Sequence, residues 1–465
     1  MKHLAALLFA AWVGLNGLWL GQDLLPRDGD EEGHVGAAEL FMVDLREGRL
    51  QLATERLLVQ DMGDYPSLYP ALTGAWWAAL GGGDPGRPAV RALNLFWLLV
   101  AGAAVAATAA RAGADPGSAL LGGAATLWLP LNSGLARHFM PEGLLVATVA
   151  LAVLAAAWQR ERPTLAPAIG LGLVCGLGLL TKQTFVLYAL LPVLVLVRWR
   201  WTLLAVPAAA LLLSGPWLFN NLGEQAAYAS ASTGYPGGFG QHLAFYPMAL
   251  WSPGLGPVWL LGGGAALVIA LRGPLGRLAA FAGIWLVGGL LVLVLVPKKY
   301  ERLVAPLLPA MGLVVASAAV RRPRAAAVGV LLGAGWTGAA SFAPLAQPTA
   351  FSQDFHPGCT QVWLRPPVQD DWGLSALAEA SRQAGPGDIL MRGEPPPIPC
   401  AVQTTHPWES HVSPYLRRMG LDRELVTQGG GPIVLVWEGG GPADTVVELP
   451  SLNSSFALLR LTPVR

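Results

Sequence analysis

Residues 165–198 read LAPAIGLGLVCGLGLLTKQTFVLYALLPVLVLVR. Two apolar runs flank a short polar break, and Lys182 is the only charged residue before Arg198. A water-soluble core helix shows a polar face at helical spacing, and neither run has one. Each run instead reads as a helix surrounded by hydrocarbon or by other apolar helices. The same pattern recurs from residue 4 to about residue 343, with Pro, Arg or a polar cluster at each joint. Over the whole chain 54% of residues are hydrophobic and 13% are charged. Globular proteins carry about 25% charged residues. The fold class expected is therefore an α-helical polytopic membrane protein. The net charge of +1 says nothing about nucleic acid, and the sequence has no basic stripe of the kind such binding needs. Arg outnumbers Lys by 26 to 4, which with the Ala and Gly excess suggests a G+C-rich bacterial genome.

Orientation follows from where the Arg residues fall, because cytoplasmic loops are enriched in positive charge. Joints at Arg111, at Arg160 and Arg162, at Arg198 and Arg200, at Arg272 and Arg277, and at Arg321 to Arg324 belong inside. The alternate joints, 135–142, 181–183, 220–247 and 297–300, belong outside. Spans are then expected at 4–20, 90–110, 118–134, 141–158, 165–181, 184–198, 201–219, 248–271, 278–297, 301–320 and 325–343. The amino terminus lies inside and the tail after residue 344 outside. Residues 4–20 are read as an uncleaved first span, since no small-residue cleavage site follows. The segment 66–82 is too short to span and is expected as an interfacial or re-entrant helix on the outer face. The first domain, 1–343, thus includes an outer loop region, 21–89. The second, 344–465, is expected to be a small extracytoplasmic α/β domain. It has an amphipathic helix at 373–384 and strands at 389–391, 433–437 and 456–461. Cys359 and Cys400 pair there or stay as thiols, and Cys175 packs among apolar neighbours.

Polar residues collect at the outer joints. Asp28-Gly29-Asp30-Glu31-Glu32-Gly33-His34 precedes Ala37, Ala38, Leu40 and Phe41 at helical spacing. A helix starting near Asp30 holds carboxylates at its electropositive end, on a rigid element that suits a general base. A solvated acidic loop is the plainer reading. Arg137-His138-Phe139-Met140-Pro141-Glu142, Lys182-Gln183 and Lys298-Lys299-Tyr300-Glu301-Arg302 form three further clusters. Cations on the outer face offer a lipid phosphate charge-assisted hydrogen bonds, or merely snorkel from helix ends. Inside the spans, Asn94 and a few Ser and Thr stand out as polar.

In order and spacing these motifs resemble the polyprenyl-phosphate-sugar-dependent membrane glycosyltransferases of the GT-C class. The nearest group is family 39, with the protein O-mannosyltransferases and lipid A aminoarabinose transferases. Four features over residues 1–320 carry the resemblance. They are Asp30-Glu31 with His34; Tyr65-Pro66-Ser67-Leu68-Tyr69 followed by Arg91; Pro130, Arg137 and Glu142; and Lys299, Arg302, Pro306 and Pro309. Ser67 stands where the family more often has a second Pro, and Glu142 where it more often has Asp.

The resemblance implies an inverting transfer of sugar from a polyprenyl-phosphate-linked donor in the membrane to an extracytoplasmic acceptor in the cell envelope. Asp30 would be the general base, and Glu31 or Glu142 would orient or help deprotonate the acceptor. Arg91, Lys182, Lys299 and Arg302 would meet the phosphate. His34, Tyr65, Tyr69, Arg137 and His138 complete the candidate substrate-binding set. No cofactor is required, although Asp30, Glu31 and Glu142 are a set able to ligate a divalent metal. Trp363, Trp372, Trp408 and Trp437 in the tail stack on sugars or pack in its core. The rival expectation is a transporter or flippase of lipid-linked saccharide. Such proteins place ionisable groups near the middle of the membrane, whereas here they sit at span ends.

Overall fold

A computed structural model describes residues 1–23, 29–59, 66–83, 88–231, 239–251, 255–296 and 299–342, and four short strands within 389–463. Helix α1 (Lys2–Gln22) is followed by three short helices, α2 (Gly29–Arg46), α3 (Leu50–Leu58) and α4 (Leu68–Ala79). Then come α5 (Pro88–Arg91), α6 (Leu93–Arg111), α7 (Pro116–Trp128), α8 (Pro130–Leu135) and α9 (Glu142–Glu161). The chain continues through α10 (Leu165–Thr181), α11 (Phe185–Leu196), α12 (Ala205–Ala231), α13 (Phe239–Ala249) and α14 (Gly256–Leu271). It ends with α15 (Gly276–Leu295), a 3-10 segment Glu301–Leu307, α16 (Pro309–Arg321) and α17 (Pro323–Ala340).

Each of the eleven expected segments holds helix. Length and composition qualify five among the described residues as membrane-crossing: Lys2–Gln22, Pro88–Arg111, Glu142–Glu161, Trp201–Ala226 and Gly276–Leu295. A sixth is added if Glu301–Leu307 and Pro309–Arg321, bent by 44°, are one broken span. The apolar helices Leu165–Thr181, Phe185–Leu196 and Gly256–Leu271 are shorter. The protein is thus a multi-pass membrane protein. Two expectations are corrected in detail. The run 118–134 is broken at Leu129, which is extended at φ −62° and ψ 129°, because Pro130 disfavours helical backbone in the residue before it. The loop expected at 220–247 is partly helical, since α12 runs on to Ala231 and α13 begins at Phe239.

Helices α6, α7, α9 and α16 pack as the centre of the bundle. Lipid tails are as apolar as Leu, so helix association rests on close contact, which small residues allow. A Cβ at Gly122 on α7 would stand 2.5 Å from the carbonyl oxygen of Gly312 on α16. A Cβ at Gly123 would stand 2.5 Å from the carbonyl of Gly102 on α6. Helix α7 starts cleanly because Asp115 caps it, accepting from the Gly117 and Ser118 N–H groups at 2.9 and 3.1 Å. Pro116 occupies the first position, where no N–H is needed.

The short helices α2, α3 and α4 pack on one another. Helix α2 buries Val35, Ala38, Phe41 and Met42, with Val35 and Met42 packed among Trp77, Val90 and Phe139. Leu40, expected on the same face, is exposed. Gly74 on α4 lets α2 approach closely, for a Cβ there would meet the Ala38 carbonyl at 2.5 Å. Helix α4 has 12 residues, about 18 Å, short of a hydrocarbon core of about 30 Å.

In the tail, β1 (Ile389–Arg392), β2 (Leu425–Val426), β3 (Ile433–Val436) and β4 (Arg460–Pro463) form one sheet in the order β2-β1-β3-β4. β1 is parallel to β2 and β3, and β3 is antiparallel to β4. The expected helix at 373–384, the four tail tryptophan side chains, Cys359 and Cys400 lie outside the described residues.

Candidate active site

The site is built on residues 137–142, the stretch that joins α8 to α9. Pro141 precedes Glu142 at the start of α9, and the chain before it is turned, with the Arg137, His138 and Met140 N–H groups bonded to nearby carbonyls. The Phe139 N–H donates to Glu31 Oε1 at 2.7 Å, and His138 Nδ1 stands 3.2 Å from the same oxygen. Glu31 lies in the first turn of α2 and is buried. Burial by itself would raise its carboxyl. The His138 charge and hydrogen bond, the Arg91 guanidinium and the Phe139 N–H outweigh that and hold it down to about 2. The carboxylate is therefore ionised at neutral pH.

Three residues after Phe139, Glu142 is also buried, and its Oε1 accepts from Lys182 Nζ at 2.8 Å. Arg302 Nε stands 3.6 Å from that oxygen. Glu142 Oε2 meets no hydrogen-bond donor among the described residues. Lys182 is the residue that ends α10, and Arg302 lies in the 3-10 segment before α16. Three separate parts of the chain thus bring one acid and two cations together. Tyr69, on α4, is buried within electrostatic reach of both acids. Burial first, then the neighbouring Glu31 and Glu142 carboxylates, pushes its phenol well above its ordinary value. It accepts from Asn94 Nδ2 at 3.1 Å, and the same amide donates to the His138 carbonyl. His34 packs edge-on to the Tyr69 ring, at 5.6 Å between centroids.

Other expected site residues turn inward. Arg91 donates twice to the Arg137 carbonyl, at 3.1 and 2.8 Å, and pairs with Asp23 at 3.1 Å. Arg137 is fully buried; it reaches Asn16 Oδ1 and Ser341 Oγ at 2.7 Å each and covers the Trp19 ring at 4.8 Å. Lys299 donates to the carbonyls of Leu293, Val294 and Val296, closing the end of α15. Its ammonium also lies 5.3 Å from the Tyr246 ring. Asp30 belongs to the first turn of α2 by its backbone. Its side chain, and Tyr65 as a whole, lie outside the described residues. Among the described residues no three His, Cys, Asp or Glu are grouped to hold a metal ion.

Sequence reasoning missed Asn16, Asp23 and Ser341. Asn16 was visible as an amide in the middle of an apolar helix, and an amide there needs a partner. Asp23 was visible as an acid at the end of α1. Ser341 carried no signal, since its role depends on where α17 ends in space.

Loop and helix-end ionisable groups gather beside short helices in a bundle of apolar helices: by class this is a multi-pass helical membrane fold. Solved structures that share the fold include two of ArnT from Cupriavidus metallidurans. One is bound to undecaprenyl phosphate, with 16% sequence identity and a TM-score of 0.57 over 91% of this chain and 86% of that one. The other is in the apo state, with 17% identity, the same TM-score and the same coverage. No protein-family model and no curated protein matches the sequence.

Proposed function

We propose that this protein is an inverting glycosyltransferase that moves a sugar from a polyprenyl-phosphate donor in a bacterial plasma membrane to an extracytoplasmic acceptor in the cell envelope. The observation that carries the proposal is the Glu142–Lys182–Arg302 cluster beside Glu31, in a fold shared with an ArnT bound to undecaprenyl phosphate. An acceptor O–H or N–H attacks the anomeric carbon as the bond from that carbon to the phosphate oxygen breaks. The acceptor proton passes to Asp30, and the polyprenyl phosphate leaves with the electron pair. General-base help of this kind is worth about 10²–10⁴ in rate. Lys182 and Arg302 receive the charge that develops on the phosphate. Glu31, anchored to the His138 ring and the Phe139 N–H, holds the start of α2 and with it the Asp30 backbone near the same loop. Arg91 and Arg137 hold that loop from behind, and Lys299 closes α15 rather than meeting substrate. The tail covers the cavity or recognises the acceptor, from the outer side of the membrane.

The test is mass spectrometry of cell-envelope glycans and lipids from cells with the gene, without it, and with Asp30→Asn. The expected result is one glycan or lipid that loses a sugar equally in the last two strains, while the Asp30→Asn protein reaches the membrane at normal levels. A full complement of sugar in the Asp30→Asn strain would overturn the assignment. Lipid-linked sugar accumulating on the cytoplasmic face would favour a flippase.

A further inference from the structure

Glu142 sits against the two cations assigned above to the donor phosphate. Lys182 and Arg302 both converge on its Oε1, and all three side chains are buried. Its Oε2 is buried and meets no donor among the described residues. A purely structural carboxylate would spend both oxygens on hydrogen bonds, because an unused buried acceptor is costly. This carboxylate gives one oxygen to the two cations and leaves the other unused among the described residues.

We infer that Glu142 is a resident counter-ion that the lipid phosphate displaces from Lys182 and Arg302 on binding, and that it drives the phosphate product out after transfer. The inference rests on the donor proposed above. A sugar-bearing polyprenyl phosphate is a phosphodiester with one negative charge. After the sugar leaves it is a monoester with a charge near −2, as for any phosphate monoester at neutral pH. A fixed carboxylate beside the subsite repels the product more than the donor, since the repulsion scales with ligand charge. In its absence Lys182 and Arg302 would keep the product. Glu142 is thus a positioning and release residue, and the carboxylate returns to Lys182 as the product departs.

The experiment measures binding of undecaprenyl phosphate and of its methyl phosphodiester to the purified full chain in detergent. Wild type is compared with Glu142→Gln, which keeps the hydrogen-bond acceptor for Lys182 and removes the charge. The expected result is monoester binding tightened about tenfold and diester binding tightened less, about threefold. Unchanged or weaker monoester binding would overturn the inference, as would equal tightening of both ligands. Should Glu142→Gln not fold, Lys182→Met with Glu142→Met is compared with Lys182→Met alone. The double variant leaves no buried charge of this pair unpaired and is expected to bind the monoester more tightly than the single one. Failure of the wild type to bind either lipid would overturn the donor assignment itself, which separates the two proposals.

Discussion

At the scale of single residues, the site depends on acids held ionised although they are buried. Glu31 shows the balance. Desolvation opposes its charge, and the His138 charge, Arg91 and one backbone N–H prevail, holding the carboxyl near 2 against a usual 4.5. A carboxyl depressed on folding contributes stability that is fully present above the unfolded value of about 4.5 and is lost as pH falls through about 2. Glu31→Gln is therefore expected to lower stability at pH 7 by about 2 kcal/mol. It should also flatten the loss of stability between pH 4.5 and 2, where wild type loses this contribution. Thermal unfolding followed across that pH range in detergent checks both, and an unchanged acid profile would refute the assignment. Much of this chemistry was legible beforehand. Glu31, His34, Glu142, Lys182 and Arg302 were all singled out from the sequence, because an ionisable residue at the edge of an apolar run is conspicuous. Which partner each would choose was not legible. Lys299 looked like the same kind of cation as Lys182, yet its ammonium spends itself on the carbonyls that end α15.

At the scale of elements, helices here are placed by hydropathy and joined by glycine. The pair α7 and α16 meets through Gly122 and Gly312, where there is no room for a side chain. Gly122→Val is expected to cost about 1–3 kcal/mol, as overpacking does. Gly264→Ala on α14, where an added Cβ would meet nothing within 4 Å, should cost nothing and serves as its control. Heating the detergent-solubilised variants and measuring the soluble fraction by size exclusion reads the difference. If the two glycines respond alike, packing at the α7–α16 crossing is not what holds these helices together. The break at Leu129 was legible in principle from Pro130, but a long apolar run concealed it. The extension of α12 past Asn220 was not legible, because polar residues at a membrane surface are compatible with loop or helix.

For the whole molecule, the site requires the acids of α2 and the α8–α9 loop to share one end of the bundle. They do, since Glu31 is bound to the residue three before Glu142. We propose that this end faces outward. In a background with its native cysteines replaced by serine, Glu224→Cys on exposed α12 should react with a membrane-impermeant maleimide in intact cells. Arg162→Cys, exposed after α9, should react only after permeabilisation. The reverse pattern would invert the orientation and remove the extracytoplasmic acceptor from the proposed function. Position 299 is unsuitable for this test, because Lys299 is buried.

The sequence by itself determined that the long apolar runs are helices. In hydrocarbon each backbone N–H and C=O must be satisfied within its own segment, so a long uncharged run has little choice but helix. It also marked the joints where ionisable groups collect. Only the tertiary structure decided that Asn16, at the middle of α1, meets Arg137, 121 residues away. The same holds for Lys182 and Arg302 closing on one oxygen of Glu142, and for Arg91 turning back to Asp23. Those pairings depend on how each helix is rotated about its axis and on where each loop returns the chain, and hydropathy carries no information about either.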